Sequence, residues 1–220
     1  MRLRTILALA TLGASTLASA NILLDGGFDA PALSNWTNWG SASSFMNVYH
    51  NTGGNGFNAP SDFGNFTGVT AASGQQFVAG LATPSTAGFI SQTLQVPLVA
   101  GQTYRMSALL HAAVRSDLDL PGTYTIALSS DTSLSNRVDV GVFAMTVNSS
   151  QGWVARSVDF VAPTNAANLT TISFISTMNL GQFGSYTGLD SANLEAVPEP
   201  MSMTVLGLGT LLVARRRRRK

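Results

Sequence analysis

The sequence predicts an all-β fold, organised as a single jelly-roll β-sandwich. Period-two alternation of apolar and polar residues recurs between residues 21 and 199, and helical spacing of apolar residues is nearly absent there. Gly, Pro, Asn and Ser separate the short alternating runs, as turns between strands require. This stretch holds about 180 residues, which is enough for one domain with a sizeable hydrophobic core.

Each alternating run predicts one strand. In the first, Ile90, Gln92 and Leu94 share one face. The pair Pro121-Gly122 predicts a tight turn, and the Gly- and Asn-rich residues 51–68 predict a long surface loop. The predicted strands cover approximately residues 89–96, 104–112, 124–129, 138–147, 154–160, 172–174 and 189–196.

The N-terminus predicts a secretory signal peptide over residues 1–20. Arg2 and Arg4 precede an apolar stretch, and Ala18-Ser19-Ala20 follows it as a small-residue cleavage site. We therefore expect an N-terminal signal helix that directs export and is removed after Ala20.

The C-terminus combines three elements over residues 197–220. Pro198-Glu199-Pro200 forms a rigid spacer, residues 201–214 are apolar, and residues 215–220 are all basic. A helix over the apolar segment would be roughly 21 Å long, which is shorter than the roughly 30 Å hydrocarbon core of a bilayer. The basic residues should stay on the cytoplasmic side. A short span of this kind favours a transient hold for processing over a permanent anchor.

This order of elements resembles the PEP-CTERM sorting signal of Gram-negative bacteria. The resemblance implies that an exosortase-type membrane enzyme processes the chain near Pro198, Glu199 and Pro200, with Arg215 and Arg216 in the basic stop. It also implies transient insertion into the inner membrane, followed by delivery to the cell surface or extracellular matrix. Proteins with this signal are commonly linked to exopolysaccharide and biofilm. The predicted domains are thus residues 1–20, 21–196 and 197–220.

The net charge of +1 belongs to the whole precursor and changes once the ends are set aside. Residues 21–199 carry four arginines and 11 acidic residues, a net charge of −7. Because phosphate binding needs clustered cations, this balance excludes a nucleic-acid partner. The chain has no cysteine, so an exported domain must rely on its core or on a bound metal rather than on disulfides.

The body resembles galactose-binding-like β-sandwiches, which include several carbohydrate-binding modules. Residues 21–29 are similar to their N-L-x-x-N-G-x-F-E opening, and residues 90–104 to their central hairpin. Residues 152–160 resemble a later strand, and residues 188–194 resemble the closing strand. The resemblance implies a jelly-roll sandwich that associates with polysaccharide.

The same resemblance implies a structural calcium ion held by Asp29 and Asp190. Calcium takes several oxygen ligands, and backbone carbonyls near Asp25 and Asn21 would add to the two carboxylates. The chain departs from the family at Asp29, where glutamate is more frequent and reaches further. The alternative is that Asp29 caps a turn and Asp190 hydrogen-bonds a loop.

Exposed aromatic side chains are the usual platforms for sugar rings. The candidates in this sequence are Trp36, Trp39, Tyr49, Phe57 and Tyr186. The alternative for each is packing in the core or under a loop. His111 lies in a predicted strand, where a satisfied polar residue is the ordinary interpretation.

Signals for catalysis are weak. The sequence has no H-E-x-x-H motif, no P-loop and no G-x-S-x-G nucleophile elbow. Its only glutamates, Glu195 and Glu199, lie near the end of the body, so a glycosidase-like carboxylate pair would need aspartates. We expect a non-enzymatic protein that binds or associates with exopolysaccharide. The alternative is a purely structural matrix protein with no ligand site, and a hydrolase is disfavoured.

Overall fold

A computed structural model describes the greater part of the predicted body. It covers residues 21–30, 33–39, 46–50, 66, 68–83, 86–113, 122–145, 152–177 and 185–198. For residues 38, 39, 46–50, 81, 83, 86, 185 and 186 it describes the backbone alone.

The described residues form 11 strands and one short 3-10 helix. The strands are β1 (Thr37–Trp39), β2 (Met46–His50), β3 (Gln76–Thr83), β4 (Thr86–Ala87), β5 (Phe89–Thr93), β6 (Thr103–Ala112), β7 (Thr123–Ser129), β8 (Val138–Ala144), β9 (Val154–Val161), β10 (Thr171–Thr177) and β11 (Ser185–Ala196). The 3-10 helix, Ala166–Asn168, lies between β9 and β10. The prediction of an all-β chain is therefore confirmed for this part of the protein.

The strands build two antiparallel sheets that face each other. The first sheet has the order β1-β5-β10-β7-β8, and the second has the order β2-β3-β11-β6-β9, with β4 paired to β3. Neighbours in each sheet are mostly distant in sequence, as in a jelly roll. The predicted single β-sandwich is confirmed.

The core lies between the sheets and follows from strand alternation. In β6, Tyr104, Met106 and Leu110 point inward and are buried, whereas Arg105 points outward and is exposed. Phe174 of β10 reaches the same core from the opposite sheet. One continuous cluster thus joins the inner faces of both sheets.

The first residues of the body close the sandwich against its last strand. The Asn21 side chain accepts hydrogen bonds from the backbone N–H groups of Leu23 (3.0 Å) and Leu194 (2.9 Å), and donates to Ala192 O (3.2 Å). The Ala192 N–H donates to Gly26 O at 2.7 Å. The start of the body and β11 are therefore held as one unit.

Two edge strands lie against each other at one side of the sandwich. Gly141 of β8 lies so close to Val158 of β9 that a Cβ on the glycine would stand 2.7 Å from Cγ1 of Val158. The Arg156 Nε group donates to Ala144 O at 2.8 Å. This contact covers edges that would otherwise be open to pairing with another chain.

The predicted signals at the ends of the chain lie almost wholly outside the described residues. This applies to residues 1–20 with Ala18 and Ala20, and to residues 199–220 with Glu199, Pro200, Arg215 and Arg216. Pro198 is exposed and follows Val197, whose N–H donates to Thr103 O at 2.9 Å. Among the described residues, no helix has the length and apolar character that a bilayer crossing requires.

Candidate functional site

Small polar side chains line the outward surface of the second sheet. We use the term outer face for the side chains of β6, β9 and β11 that point away from the core. Ser107 of β6 pairs with Ser157 of β9 on one side and with Asn193 of β11 on the other. Leu109 pairs with Ala155 in the next outward row. These rows place hydroxyl and amide groups beside short apolar side chains on one surface.

This part of the outer face is depressed. The depression has a volume of about 340 Å³. Its lining consists of Ser107, Ala108, Leu109, Ala155, Arg156, Ser157 and Ser191. Because most of these side chains are short, the floor lies close to the backbone and its hydroxyl groups remain accessible to a ligand.

A β-bulge places Ser191 at the rim of this depression. The pairing of β11 with β6 shifts register between Asp190 and Asn193, and Ser191 adopts a φ angle of 52°. This is the left-handed region, which is unfavourable for a side-chain-bearing residue and is seen mainly where the surrounding structure imposes it. The bulge directs Ala192 into the core, while Ser191 contacts the Ser73 hydroxyl at 3.0 Å. It thereby adds a hydroxyl to the site.

Trp153 forms an aromatic wall at one end of the outer face. It immediately precedes β9 and is half-buried. Its indole N–H donates to Thr70 O at 2.8 Å, and its ring makes edge-to-face contacts with Phe77 (5.2 Å between centroids) and His111 (5.3 Å). A Cβ on Gly188 would lie 3.3 Å from the indole, so the glycine lets Trp153 lie close against β11. The ring of Trp153 is therefore held in place by contacts within the protein.

An ion pair marks the opposite end of the outer face. Nε and Nη2 of Arg105 contact the two carboxylate oxygens of Asp159 at 2.7 and 2.8 Å. This bond to Arg105 lowers the pKa of Asp159, and the bond to Asp159 raises the pKa of Arg105. Glu195 pairs with Arg105 across β11. The pair is exposed, so it contributes little to stability.

Asp190 anchors a loop beneath the bulge. One carboxylate oxygen accepts hydrogen bonds from the backbone N–H groups of Ala72 (2.7 Å) and Ser73 (3.1 Å), and the other accepts from Ser191 N–H (2.5 Å). Burial raises the pKa of Asp190, the three N–H bonds lower it in part, and the nearby charge of Asp29 raises it slightly. Asp190 thus holds residues 72–73 against β11.

Asp29 lies on the other side of this loop. Its Oδ1 atom accepts a hydrogen bond from Gln75 N–H at 2.8 Å. Gly74 has a φ angle of 64°, and a Cβ there would lie 1.8 Å from Oδ2 of Asp29. The Asp25 carboxylate in turn accepts from the N–H groups of Asp29 and Ala30, both at 2.9 Å. The two predicted metal ligands are therefore brought to the same loop.

The fit of these residues to calcium is partial. Calcium takes carboxylate and carbonyl oxygens as ligands, and Asp29 and Asp190 supply two carboxylates at one loop. Both oxygens of Asp190 already accept backbone N–H groups, which is the loop-bonding alternative for this residue. Within the described residues, no group of three or more His, Cys, Asp or Glu side chains is placed to hold a metal ion. A structural calcium ion at this loop stays a prediction, which calcium titration monitored by thermal unfolding would check.

Replacing Asp190 with asparagine should destabilise the fold in a pH-dependent way. An amide cannot accept all three backbone N–H groups, so we expect a loss of about 1–3 kcal/mol at neutral pH. Since burial raises the pKa of Asp190, the folded state binds this proton more tightly than the unfolded chain does. The stabilisation from protonation is complete below the unfolded pKa of about 3.9 and is lost as the pH rises through the folded value.

The free energy of unfolding of the wild type should therefore exceed that of Asp190→Asn by a larger amount at acid pH than at neutral pH. Urea unfolding of both proteins across the acid-to-neutral range measures this gap. A gap that stays constant or narrows towards acid pH would contradict the assignment.

The five predicted aromatic candidates differ in where they lie and in how much of each the structure describes. Trp36 is buried between Phe28 and Phe174, so it is a core residue and not an exposed platform. The backbones of Trp39, Tyr49 and Tyr186 lie in β1, β2 and β11, and their side chains lie outside the described part of the structure. Phe57 lies outside the described residues altogether.

Neither Trp153 nor Ser191 is among the site residues that the sequence predicts. Trp153 was noted only as part of a strand resemblance, although a tryptophan directly before an alternating run is a usable signal for an aromatic at a sheet edge. Ser191 gave no such signal, because a bulge depends on pairing that the sequence does not display. His111, a predicted polar strand residue, is buried and its Nδ1 lies 2.6 Å from Ala112 O.

Comparison with known proteins gives a fold relationship. No protein-family model matches the chain, and no curated protein matches it in sequence. Among solved structures, the CBM22-1 xylan-binding domain of Xyn10C from Paenibacillus barcinonensis has a TM-score of 0.52 at 14% identity, over 83% of this chain and 99% of that domain. The CBM22-1-CBM22-2 tandem of the same protein has a TM-score of 0.51 at 15% identity, over 84% of this chain and 49% of the tandem.

An enzyme also appears among the similar structures. The arabinose-bound α-L-arabinofuranosidase MgGH51 has a TM-score of 0.51 at 12% identity, over 81% of this chain. The match spans only 26% of that enzyme, so the similarity concerns one part of it. At these identities the likeness shows the fold alone: this chain has a β-sandwich fold similar to that of these domains.

Proposed function

We propose that this protein is an exported, non-enzymatic polysaccharide-binding protein that holds its ligand in the depression of the outer face. The observation that carries the proposal is the combination of a hydroxyl-lined floor with a fixed aromatic wall on one sheet. Ser107, Ser157 and Ser191 line the depression and provide the hydroxyl groups. Trp153, two residues before Ala155 of the lining and on the same face, provides the wall.

This combination suits the chemistry of sugars. A sugar ring has polar hydroxyl groups around its edge and less polar C–H faces. Serine hydroxyls both donate and accept hydrogen bonds, so they can pair with sugar hydroxyls of either orientation. An indole presents a large apolar surface against which a C–H face can pack. Because Trp153 is already fixed by Thr70 and Phe77, binding would cost little side-chain entropy.

The cellular setting of this proposal comes from the ends of the sequence. The signal peptide over residues 1–20 would export the chain. The spacer, apolar segment and basic stop over residues 197–220 would hold it transiently in the inner membrane for a sorting enzyme. Release to the cell surface or extracellular matrix would then bring the sandwich into contact with exopolysaccharide.

A structural matrix role with no ligand site is the second candidate. One observation favours it: within the described part of the outer face, Trp153 is the single aromatic wall, and its indole N–H is already bonded to Thr70. In that role the tryptophan would serve mainly to cover Phe77. The two roles differ in whether a purified chain binds polysaccharide.

Filling the floor of the depression should abolish most of the binding. Ser157 is exposed and faces Ser107, so Ser157→Ile removes one hydroxyl and occupies the space above its neighbour. We expect at least about a tenfold loss of affinity for a bound polysaccharide, equivalent to about 1.4 kcal/mol. Affinity gel electrophoresis of the full chain, in gels containing galactan, xylan or the producing organism's exopolysaccharide, measures this loss.

The matched control is Thr93→Ile, an exposed hydroxyl residue in β5 of the other sheet. Isoleucine favours strands, so both variants should fold, and thermal unfolding verifies this. The control should bind like the wild type. Absence of any retardation of the wild-type chain, or equal losses in both variants, would refute binding at the outer face.

A further inference from the structure

The charged groups around the depression indicate which polysaccharides it accepts, an inference that rests on the proposed function. Three arginines lie within the described residues, and each is engaged within the protein. Arg105 is paired with Asp159, as described above. Arg137 contacts the two carboxylate oxygens of Asp139 at 2.5 and 3.0 Å. Arg156 donates to backbone carbonyl oxygens.

Arg156 is the one arginine among the described residues that line the depression. Val154 and Val158 lie two residues before and after Arg156, on the same face of β9, and both pack against the core. Its guanidinium group donates to Ala144 O of β8 at 2.8 Å and to Ala155 O at 3.0 Å. The cation is therefore directed to the junction of the two sheets and not to the outer face.

The acidic groups are placed differently. Asp159 and Glu195 occupy the outward row next to Ser107, on either side of Arg105. Asp190 is buried and its carboxylate accepts the N–H of Ser191, and the charge of Asp29 acts on the same carboxylate. The rim and surroundings of the depression thus carry more negative than positive charge, in line with the acidic body.

We infer that the depression accepts neutral polysaccharides and excludes those that carry carboxylate or sulfate groups. A neutral sugar chain needs only the hydroxyl, amide and aromatic groups that the outer face presents. An anionic chain would bring its charges close to Asp159 and Glu195, while Arg105 is already paired. Like charges placed across an interface oppose binding, commonly by several kcal/mol.

The wild-type chain tests this inference directly. Affinity electrophoresis at low ionic strength would compare two neutral polymers, galactan and xylan, with two acidic polymers, alginate and polygalacturonate. We expect retardation by at least one neutral polymer, and at least about tenfold weaker binding of both acidic ones. Raising the salt concentration should narrow this difference, since exposed charges are screened.

A matched pair of variants localises the effect. Asp159→Asn removes a carboxylate beside the depression and releases Arg105, whereas Asp139→Asn makes the same change in charge beside Arg137 on the other sheet. Both ion pairs are exposed, so neither variant should lose much stability. We expect Asp159→Asn to gain binding to alginate or polygalacturonate, and Asp139→Asn to behave like the wild type.

The outcomes separate this inference from the function on which it rests. Strong binding of acidic polymers by the wild type, lost in Ser157→Ile, would overturn the charge selection and leave polysaccharide binding intact. Equal gains in Asp159→Asn and Asp139→Asn would also overturn it, because net charge alone would then explain the result. Failure of every polymer to bind would overturn the proposed function and this inference together.

Discussion

Trp36→Ala is expected to lower the free energy of unfolding by about 3–5 kcal/mol, a large share of the stability of an ordinary domain. Trp36 is only 7% exposed, and its ring centroid lies 4.9 Å from that of Phe28 and 5.9 Å from that of Phe174. Its indole N–H donates to Asp25 O at 2.8 Å. Alanine would leave a cavity between the opening segment and β10. It would also remove the N–H that donates to the Asp25 carbonyl.

Urea unfolding of the wild type, Trp36→Ala and Trp36→Phe measures the effect. Phenylalanine retains most of the apolar volume but not the N–H, so it should recover part of the loss. Val142→Ala on β8 is the surface control, since Val142 is 55% exposed and should change stability by about 0.5 kcal/mol or less. A Trp36→Ala protein as stable as this control would show that Trp36 is not a core residue.

The same variant separates packing from ligand binding. If Trp36 serves only the core, Trp36→Ala should bind polysaccharide normally at temperatures where it is folded. Trp36 was a candidate sugar platform in the sequence because tryptophan is both a strong core residue and a strong binding residue. Only its position between the sheets distinguishes the two roles.

Strand alternation allowed most of the fold to be predicted from the sequence. The run from Tyr104 to Ala112 alternates cleanly, and β6 covers Thr103–Ala112. The predicted run at 172–174 lies in the first half of β10, which covers Thr171–Thr177. Ser173 and Ser176 point to opposite faces of β10, and both are buried. Because both faces of this strand are covered, apolar and polar residues do not alternate along its whole length.

The first four strands, β1 to β4, were not predicted, and two physical reasons account for β1, β3 and β4. β1 and β4 contain three and two residues, which is too short for a period to be detected. β3 is longer, but Phe77, Val78 and Ala79 are all buried because both of its faces are covered. A strand that is covered on both sides reads as a continuous apolar run, without the period-two signal.

The candidate site was less predictable than the fold, because it depends on pairing between distant strands. The resemblance at both ends of the body predicted that Asp29 and Asp190 hold one calcium ion together, and the structure brings both residues to the loop at residues 72–75. The outer face is different, since Ser107, Ser157 and Asn193 come together only through the register of β6 with β9 and β11. Serines at those positions have no distinguishing feature in the sequence.

The closure of the body's first residues on β11 links the fold to this site, and Gly26→Ala should disrupt it. A Cβ on Gly26 would lie 1.8 Å from Ala192 O and 2.9 Å from Ala192 C. Both are backbone atoms, so no side chain can move aside. The segment must retreat and lose the Ala192 N–H bond to Gly26 O, and we expect a destabilisation of about 3 kcal/mol or more.

Gly101→Ala provides the control for this overlap. Gly101 has a φ angle of 81°, and a Cβ added there would have no atom of another residue within 4 Å, its chain neighbours aside. Alanine at this position therefore adds backbone strain of roughly 1–2 kcal/mol without a collision. Gly26→Ala should unfold at clearly lower urea concentration than Gly101→Ala. It should also bind polysaccharide more weakly while still folded, because displacement of Ala192 disturbs the bulge that positions Ser191. If Gly26→Ala is as stable as Gly101→Ala, the opening segment is not tightly docked on β11. If its affinity for polysaccharide is unchanged, the bulge at Ser191 does not contribute to binding.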